Sequence, residues 1–319
     1  MARSTSLWAF LLRWRAALTC PGQLIPSPFS SLKMTRTQFL RLLPIGAALG
    51  TWPTWAPSRP AQATPYQHAV SRWCYQFLPL EALCEACQEL GIAGIDLTSA
   101  ADWPTLRRYG LSPVTGMDST FISLTEGFND PAFAAAYTPA YLRFIEQAAE
   151  AGVPFVIVFT GNRKGRDDQT SLDVMARGLT PLVKRAEQLG VTLITETLNS
   201  KVDHPDYQGD HTRYLIRLCD KVGSERLKIL YDIYHMQIME GDIIRTIRDH
   251  HAYFAHYHTA GVPGRHEIDA HQELNYPAIM RAIADTGFSG FVAQEFVPTG
   301  RTRADQLAAL GEAVRICSL

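Results

Sequence analysis

Four apolar segments in the second half of the chain decide the fold. They read TLITETLN at 192–199, KILYDIYHM at 228–236, AHYHTAG at 255–261 and GFVAQEFVP at 290–298. Each is short, apolar and rich in β-branched or aromatic residues, which is typical of a buried strand. Helical periodicity fills the intervals between them, and strands that alternate with helices predict a parallel sheet.

The same alternation extends toward the N-terminus. Strand-like segments occur at 68–75, 94–97, 113–117, 155–160, 192–198, 228–233, 255–259 and 290–296. Helical patterns follow at 80–90, 103–109, 131–151, 171–189, 211–222, 243–250, 276–286 and 303–316. Eight such units within the 256 residues from 64 to 319 predict a single-domain α/β fold, the (β/α)8 or TIM barrel. An open nucleotide-binding sheet is disfavoured because no Gly-rich phosphate loop follows any strand.

The ends of the last four strands carry side chains that can bind a metal. In a barrel of this kind the active site lies where the strands end. The fifth strand offers Glu196 there, the sixth Asp232 and the eighth Glu295. On the seventh strand the period of two puts His256 and His258 on one face, so this strand also offers an imidazole as a candidate ligand. Three carboxylates and one imidazole suit one divalent ion, Mn²⁺, Mg²⁺ or Co²⁺, better than a structural zinc.

Each of these residues also has a purely structural interpretation. A glutamate at a strand end can pair with a helix N-terminus or face solvent, and Asp232 can cap the following helix. His256 can be a core histidine that is hydrogen-bonded to a neighbouring backbone group. Only the coincidence of four such residues on successive strands favours a metal site.

The charge distribution separates the first 63 residues from the rest. Residues 1–63 contain seven Lys or Arg and no Asp or Glu, which leaves 23 basic against 31 acidic residues in the remainder, about −8. A domain with this balance is repelled by a phosphate backbone, so a nucleic-acid partner is not expected.

Residues 1–63 resemble a leader, and residues 64–319 form the predicted barrel. From Met34, a possible true start, a basic segment precedes an apolar stretch at 42–52 and the small-residue end Ala61-Gln62-Ala63. The stretch is too short for a stable membrane span. Arg36 and the segment after it are similar to a degenerate twin-arginine signal, which predicts export to the periplasm. The alternative is a disordered extension of a cytoplasmic protein.

Specific motifs resemble the hydroxypyruvate isomerase family within the xylose-isomerase-like barrel superfamily. They read ITETLN at 194–199, KILYDIYHMQIMEGD at 228–242, PGRHE at 263–267, ELNYP at 273–277 and QEFVP at 294–298, with SRWCY at 71–75 near the start. The similarity covers essentially all of 68–298. It implies a barrel that holds a divalent metal and acts on a small carbonyl compound.

The resemblance places the metal ligands at Glu196, Asp232, His258 and Glu295. This chain differs from the family patterns at two positions. Hydroxypyruvate isomerases usually have Gln at the third ligand position, whereas related ketose 3-epimerases read H-x-H there, as this chain does. A second departure is Val202, which stands where epimerases place a substrate-contacting Glu. The resemblance therefore leaves the substrate open between a hydroxypyruvate-like compound and a keto-sugar.

The resemblance also implies roles in catalysis and substrate binding. Isomerisation removes a proton beside a carbonyl that the metal polarises, and Glu196 and Glu295 would transfer that proton through an enediolate. His235 and Arg265 would hold the substrate, Trp73 would line the pocket, and Glu267 with His266 would orient Arg265 or a ligand.

The leading expectation is a metal-dependent isomerase of a small α-hydroxycarbonyl compound. The alternatives are a ketose or keto-sugar epimerase or isomerase, and a non-catalytic sugar-binding barrel. An apurinic endonuclease of the same superfamily is disfavoured by the acidic charge and the single metal set. Such barrels often dimerise, so a homodimer is also an expectation.

Overall fold

The computed structural model describes residues 64–319, so the predicted leader and export signal at 1–63 lie outside the described residues. Its strands are β1 Gln67–Ser71, β2 Gly94–Asp96, β3 Ser112–Pro113, β4 Thr115–Gly116, β5 Phe155–Val158, β6 Thr192–Glu196, β7 Leu227–Asp232, β8 Phe254–Thr259 and β9 Phe291–Gln294. Its helices are α1 Leu80–Glu89, α2 Trp103–Arg108, α3 Pro131–Glu150, α4 Asp168–Leu189, α5 Thr212–Val222, α6 Ile233–Met239, α7 Ile243–His250, α8 Tyr276–Asp285 and α9 Arg303–Ile316.

The strands form one parallel sheet that closes into a barrel. The spatial order is β3-β2-β1-β9-β8-β7-β6-β5-β4. The two outermost members, β3 and β4, are separated in the chain only by Val114, so they are two halves of one strand. One half pairs with β2 and the other with β5, which joins the two ends of the sheet. The predicted (β/α)8 barrel is therefore confirmed.

Local chemistry explains where several helices begin. Asp130 accepts a hydrogen bond from the Ala132 amide at the start of α3, and Asp167 does the same for Thr170 at the start of α4. Thr302 and Asp305 form a capping box at the start of α9. These side chains satisfy amide donors that the helix itself leaves free. The predicted bounds agree with the structure to within a few residues because such signals are local.

Two predicted bounds need correction. The first strand was expected over 68–75, but it ends at Ser71, and a 3-10 helix occupies Arg72–Tyr75. The Arg72 guanidinium donates to the carbonyl of Tyr75 at 2.7 Å, which stabilises the turn. The second correction is α6, which directly follows β7 and was not predicted.

No helix among residues 64–319 is long and apolar enough to span a membrane.

The barrel interior is apolar at one end and polar at the other. Ala69, Val114 and Ala293 form a small buried cluster with Phe155 and Phe291 packed against it. These side chains fill the part of the barrel near the strand N-termini. The inward-facing residues nearer the strand C-termini carry carboxylates and imidazoles. The functional groups are therefore packed against apolar side chains that fill the rest of the barrel interior.

Candidate active site

The four sequence-predicted ligands meet at the C-terminal ends of β6 to β9. One ligand atom of each of Glu196, Asp232, His258 and Glu295 lies within 4.8 Å of the others, and all four residues are buried. His258 Nδ1 lies 2.6 Å from Glu295 Oε2 and 3.1 Å from Glu196 Oε1. Its distance to Asp232 Oδ2 is 4.0 Å. The structure therefore brings the predicted set together, whereas its occupation by a metal stays a prediction.

Asp232 serves two purposes with its two oxygens. Oδ1 accepts the His235 backbone amide at 3.0 Å and so caps α6. Oδ2 faces the cluster of ligands. The capping interpretation of Asp232 and the ligand interpretation are thus compatible, because each uses a different lone-pair region of one carboxylate.

The charges of the cluster fit a divalent cation. When all three buried carboxylates are ionised and His258 is neutral, as the ligands of a cation are, the Arg265 guanidinium leaves two negative charges uncompensated. Burial opposes protonation of His258, but the charge of Glu295 and hydrogen bonds to Asp96 and Glu196 raise its pKa well above the usual value. Burial, together with Glu295 and Glu196, raises the pKa of Asp232 to about 8 even though Arg265 opposes the shift. Burial and the charge of Glu295 likewise raise the pKa of Glu196. Oxygen donors crowded in this way are what Mn²⁺ or Mg²⁺ binds, with the imidazole as a fourth ligand.

Glu295 is the most strongly held of the carboxylates. Its Oε1 accepts the Trp73 indole N–H at 2.6 Å, and its Oε2 accepts from Arg265 Nη2 at 2.6 Å. Burial opposes ionisation, but His258, Arg265 and Trp73 together keep the pKa of Glu295 below its usual value. Trp73 was predicted to line the pocket, and the structure places its indole N–H against a predicted catalytic oxygen.

Arg265 reaches the site from the loop after β8. Its guanidinium lies 5.1 Å from the centre of the Trp73 ring and 5.5 Å from that of Tyr234. The side chain is 14% exposed, so Arg265 is not a surface arginine. The loop folds back through an amide–carbonyl bond from Gly261 to His266, and a Cβ at Gly261 would clash with the Glu267 carbonyl oxygen. This close backbone approach requires glycine.

Glu267 lies outside the cluster. Its carboxylate accepts the backbone amide and the hydroxyl of Thr299, at 2.5 and 2.9 Å, and so connects the loop after β8 to the segment after β9. His266 Nδ1 lies 3.1 Å from the Val297 carbonyl oxygen. Neither side chain directly orients Arg265 through these bonds, so the substrate-binding role of Glu267 stays a prediction.

Sequence reasoning missed Asp96, which lies behind His258. Asp96 Oδ2 is 2.7 Å from His258 Nε2 and 2.8 Å from His256 Nε2, and all three side chains are fully buried. Burial opposes ionisation of Asp96, but the two imidazoles lower its pKa. A signal was present, since Asp96 is the last residue of its strand, as Glu196 and Asp232 are of theirs. His256 Nδ1 bonds the Phe291 carbonyl at 2.9 Å, as the core-histidine interpretation expected.

His235 lies in the helix directly after β7 and contacts Asn199, the second residue that sequence reasoning missed. Asn199 Nδ2 is 2.7 Å from His235 Nδ1. His235 Nε2 is buried and has no hydrogen-bond partner among the described residues, with Asp232 Oδ2 at 3.7 Å. Burial, followed by the charge of Arg265, holds the pKa of His235 well below its usual value. Nδ1 therefore faces the Asn199 amide group, and Nε2 remains available to a ligand of the site.

Comparisons with known proteins agree with this geometry. The family model described as xylose isomerase-like TIM barrel matches residues 84–315. A human protein named putative hydroxypyruvate isomerase is 26% identical over 249 residues, which are 76% of this chain and 84% of that protein. The Escherichia coli hydroxypyruvate isomerase is 33% identical over 144 residues, which cover 40% of this chain and 55% of the relative. A Cupriavidus necator 2-oxo-tetronate isomerase is 36% identical over 115 residues, 36% of this chain and 44% of that protein.

Solved structures show the same fold at lower identity. D-psicose 3-epimerase from Clostridium cellulolyticum superposes with a TM-score of 0.64 at 18% identity, covering 79% of this chain and all of that one. A Brucella melitensis protein described as AP endonuclease, family 2, gives a TM-score of 0.68 at 21% identity, covering 77% of this chain and 98% of its own. Likeness at this identity establishes the barrel and carries no reaction with it. The resemblance predicted from the motifs is confirmed by the family match: this chain belongs to the xylose isomerase-like TIM barrel family.

Proposed function

We propose that this protein is a metal-dependent isomerase of a small α-hydroxycarbonyl compound, similar to hydroxypyruvate isomerase. The observation that carries the proposal is the buried cluster of Glu196, Asp232, His258 and Glu295, whose donor atoms and charge fit one divalent cation. The names of the relatives support the reaction class, since they include hydroxypyruvate and 2-oxo-tetronate isomerases. Mn²⁺, Mg²⁺ and Co²⁺ are the ions that the donor set favours.

The metal would hold the substrate carbonyl polarised, and the protein would move the proton. A divalent cation supplies Lewis-acid stabilisation of the negative oxygen that forms when the adjacent carbon loses its proton. Glu196 and Glu295 are the two carboxylates that can exchange that proton with substrate carbon. One would remove it, and the other would return a proton to the neighbouring carbon. The hydroxyl proton of the substrate would pass to the former carbonyl oxygen, which completes an isomerisation through an enediolate.

The remaining side chains would hold the substrate in place. Arg265 and the free nitrogen of His235 both face the cluster and can donate hydrogen bonds to substrate oxygens. Trp73 covers one side with an apolar ring and orients Glu295 through its indole N–H. The substrate that fits such a site is a small molecule whose oxygens accept several hydrogen bonds.

A keto-sugar epimerase is the second candidate, favoured by one observation. His258 provides an imidazole at the third ligand position, as the H-x-H motif of ketose 3-epimerases does, where hydroxypyruvate isomerases usually have Gln. The same residues could return the proton to the opposite face of the same carbon. The two candidates differ only in where the proton goes, so product analysis separates them.

Solvent deuterium incorporation tests both candidates. Hydroxypyruvate, several ketoses and keto-sugars would be incubated in D₂O with the protein loaded with Mn²⁺, with EDTA-treated protein and with Glu295→Gln. We expect exchange of one carbon-bound hydrogen that requires metal and is lost in the variant. The compound that exchanges and the position of its deuterium identify the substrate class. Sugar binding without exchange, by metal-loaded protein, would contradict the enzyme proposal and favour a sugar-binding barrel.

We also propose that the protein is exported and that it forms a homodimer. Export through a leader at 1–63 is tested by N-terminal sequencing of protein recovered from periplasmic and cytoplasmic fractions. A homodimer is tested by the molar mass in solution of the protein that carries residues 64–319.

A further inference from the structure

The side chain of Asn199 makes a complete set of hydrogen bonds at the edge of the site. Its Oδ1 accepts the backbone amides of Val202 at 3.0 Å and Asp203 at 2.9 Å. Its Nδ2 donates to the Asp203 carboxylate and faces His235 Nδ1 at 2.7 Å. Asn199 is fully buried, so each of these bonds replaces one that water would otherwise provide.

This network determines which way the amide points. A flipped Asn199 would place its oxygen against the Asp203 carboxylate and its NH₂ group against two N–H donors. Three of its contacts would then be repulsive or would lose their hydrogen bond. In the protein interior a polar group without a hydrogen-bond partner is costly. The observed orientation is therefore required by the neighbours of the amide, and Nδ2 is the atom that faces His235.

The orientation of the amide in turn determines the tautomer of His235. An amide nitrogen donates and does not accept, so His235 Nδ1 must be the acceptor of this bond. An imidazole nitrogen that accepts a hydrogen bond carries no proton, so the single proton of the ring is on Nε2. Nε2 is buried without a partner and lies 3.7 Å from Asp232 Oδ2, on the side of the predicted metal ligands. The rings of His204 and Tyr234 pack around the imidazole, with centroids 5.3 and 5.0 Å away.

We infer that Asn199 is a positioning residue that holds His235 as the Nε2–H tautomer, so that Nε2–H donates to a substrate oxygen beside the metal. This inference rests on the proposed function for its catalytic consequence but not for the tautomer itself. The donor stabilises an oxygen on which negative charge develops when the adjacent carbon loses a proton. The substrate must present an uncharged or negatively charged oxygen there, such as a carbonyl, rather than a hydrogen-bond donor alone.

The tautomer can be measured directly. Protein labelled with ¹⁵N-histidine would be studied by long-range ¹H–¹⁵N correlation spectra, with the His235 signals identified by their loss in His235→Gln. We expect a protonated-type ¹⁵N shift at Nε2 and an unprotonated-type shift at Nδ1. A proton on Nδ1 in the wild type would overturn the inference, whether or not any compound undergoes exchange.

Asn199→Asp is the matching variant because it keeps Oδ1 for the two backbone amides and replaces the N–H donors with an oxygen. That oxygen also faces the Asp203 carboxylate, an effect that is the same whether residue 235 is His or Gln. We expect the proton to appear on His235 Nδ1 and kcat for exchange to fall about 10- to 100-fold, with a smaller change in KM. Mn²⁺ affinity should stay within about threefold, because Asn199 touches none of the ligands. Asn275→Asp, which changes the same group at the N-cap of α8, is the control and should leave the rate and the tautomer unchanged.

A double-variant cycle separates positioning from a merely structural role. In the His235→Gln background the donor is an amide that needs no tautomer, so Asn199→Asp should lower kcat by less than about threefold. An equal loss in both backgrounds would contradict the inference and assign Asn199 to loop structure. If the wild type binds Mn²⁺ but exchanges no compound, the proposed function fails, while the spectra still decide the tautomer.

Discussion

Two histidines face the predicted metal cluster from neighbouring strands, His258 on β8 and His235 in the helix directly after β7, and they present different chemistry to it. His258 turns Nδ1 toward Glu196 and Glu295, while its Nε2 is held by the Asp96 carboxylate at 2.7 Å. His235 turns Nε2 toward the same cluster, while its Nδ1 is held by the Asn199 amide at 2.7 Å. A carboxylate behind the ring accepts a hydrogen bond from the ring N–H, so the nitrogen in front can offer its lone pair to a cation. An amide N–H behind the ring donates instead, so the nitrogen in front carries the N–H.

The difference teaches that the residue type alone does not define the role of a histidine. Both imidazoles are fully buried and both lie at the C-terminal end of the barrel. The group behind each ring decides whether it can bind a metal or donate to a substrate. The experiments that follow test this contrast, beginning with the largest expected effect.

Removing each ring in turn should separate metal binding from catalysis. We expect His258→Ala to lower Mn²⁺ affinity by more than about 100-fold, since loss of a ligand exceeds the effect typical of its outer partners. His235→Ala should keep the affinity within about threefold and lose exchange activity instead. Calorimetric titration with Mn²⁺ checks this, with circular dichroism as the control for folding. Similar losses of affinity in both variants would break the contrast.

Changing the group behind the ligand histidine should have the next largest effect. Asp96→Asn replaces the carboxylate that accepts the His258 Nε2–H with an amide, which supports the lone pair on Nδ1 less well. We expect Mn²⁺ affinity to fall about 10- to 100-fold. The control is Asp118→Asn, which should bind Mn²⁺ as the wild type does. Asp118 lies in an exposed turn, where its carboxylate accepts hydrogen bonds from the amide and the hydroxyl of Thr120. Unchanged affinity in Asp96→Asn would mean that Asp96 only fills the core.

The indole that holds Glu295 should have a smaller influence. Trp73→Phe keeps the ring over the site but removes the N–H that donates to Glu295 Oε1 at 2.6 Å. We expect kcat to fall between a few-fold and about tenfold, with little change in Mn²⁺ affinity. The matched control is Trp103→Phe. Trp103 lies in a helix outside the site, and the variant removes an indole N–H that donates to the Thr98 hydroxyl at 3.2 Å. A loss confined to KM would indicate that Trp73 only contacts substrate.

Another buried histidine, outside the site, extends the comparison to the stability of the fold. His68 on β1 bonds the Ser318 hydroxyl at 3.2 Å, and burial lowers its pKa to about 4. The unfolded chain, with an ordinary value near 6.5, therefore binds the proton first as the pH falls. Stability should decrease between about pH 6.5 and pH 4, by up to about 3 kcal/mol.

Urea unfolding at pH 7 and pH 5 measures this effect. The free energy of unfolding of His68→Gln should depend less on pH over this interval than that of the wild type, while Mn²⁺ affinity stays the same. An identical pH dependence in both proteins would assign the acid sensitivity to other groups, including the carboxylates and imidazoles of the site.

The parts of the structure that sequence reasoning predicted depend on local signals. Period-two and helical patterns predicted the strands and helices, and the structure places side-chain caps such as Asp130 and Thr302 at two of the predicted helix starts. Asp232 shows the limit of such reasoning. An aspartate directly after a strand predicts a helix cap and a metal ligand equally well, and in the structure one oxygen caps the helix while the other faces the site. The end of β1 was wrong because the Arg72 side chain, rather than strand pattern, determines the turn that follows.

By itself, the sequence determined the barrel and the residues at the ends of its last four strands, because parallel strand ends necessarily meet at one rim. Only the tertiary structure decided which groups stand behind those residues. Asp96 is 162 positions from His258, and Asn199 is 36 from His235, so no periodicity or motif connects them. The chemistry that an imidazole presents depends on the partner of its far nitrogen, and that partner is chosen by packing in three dimensions.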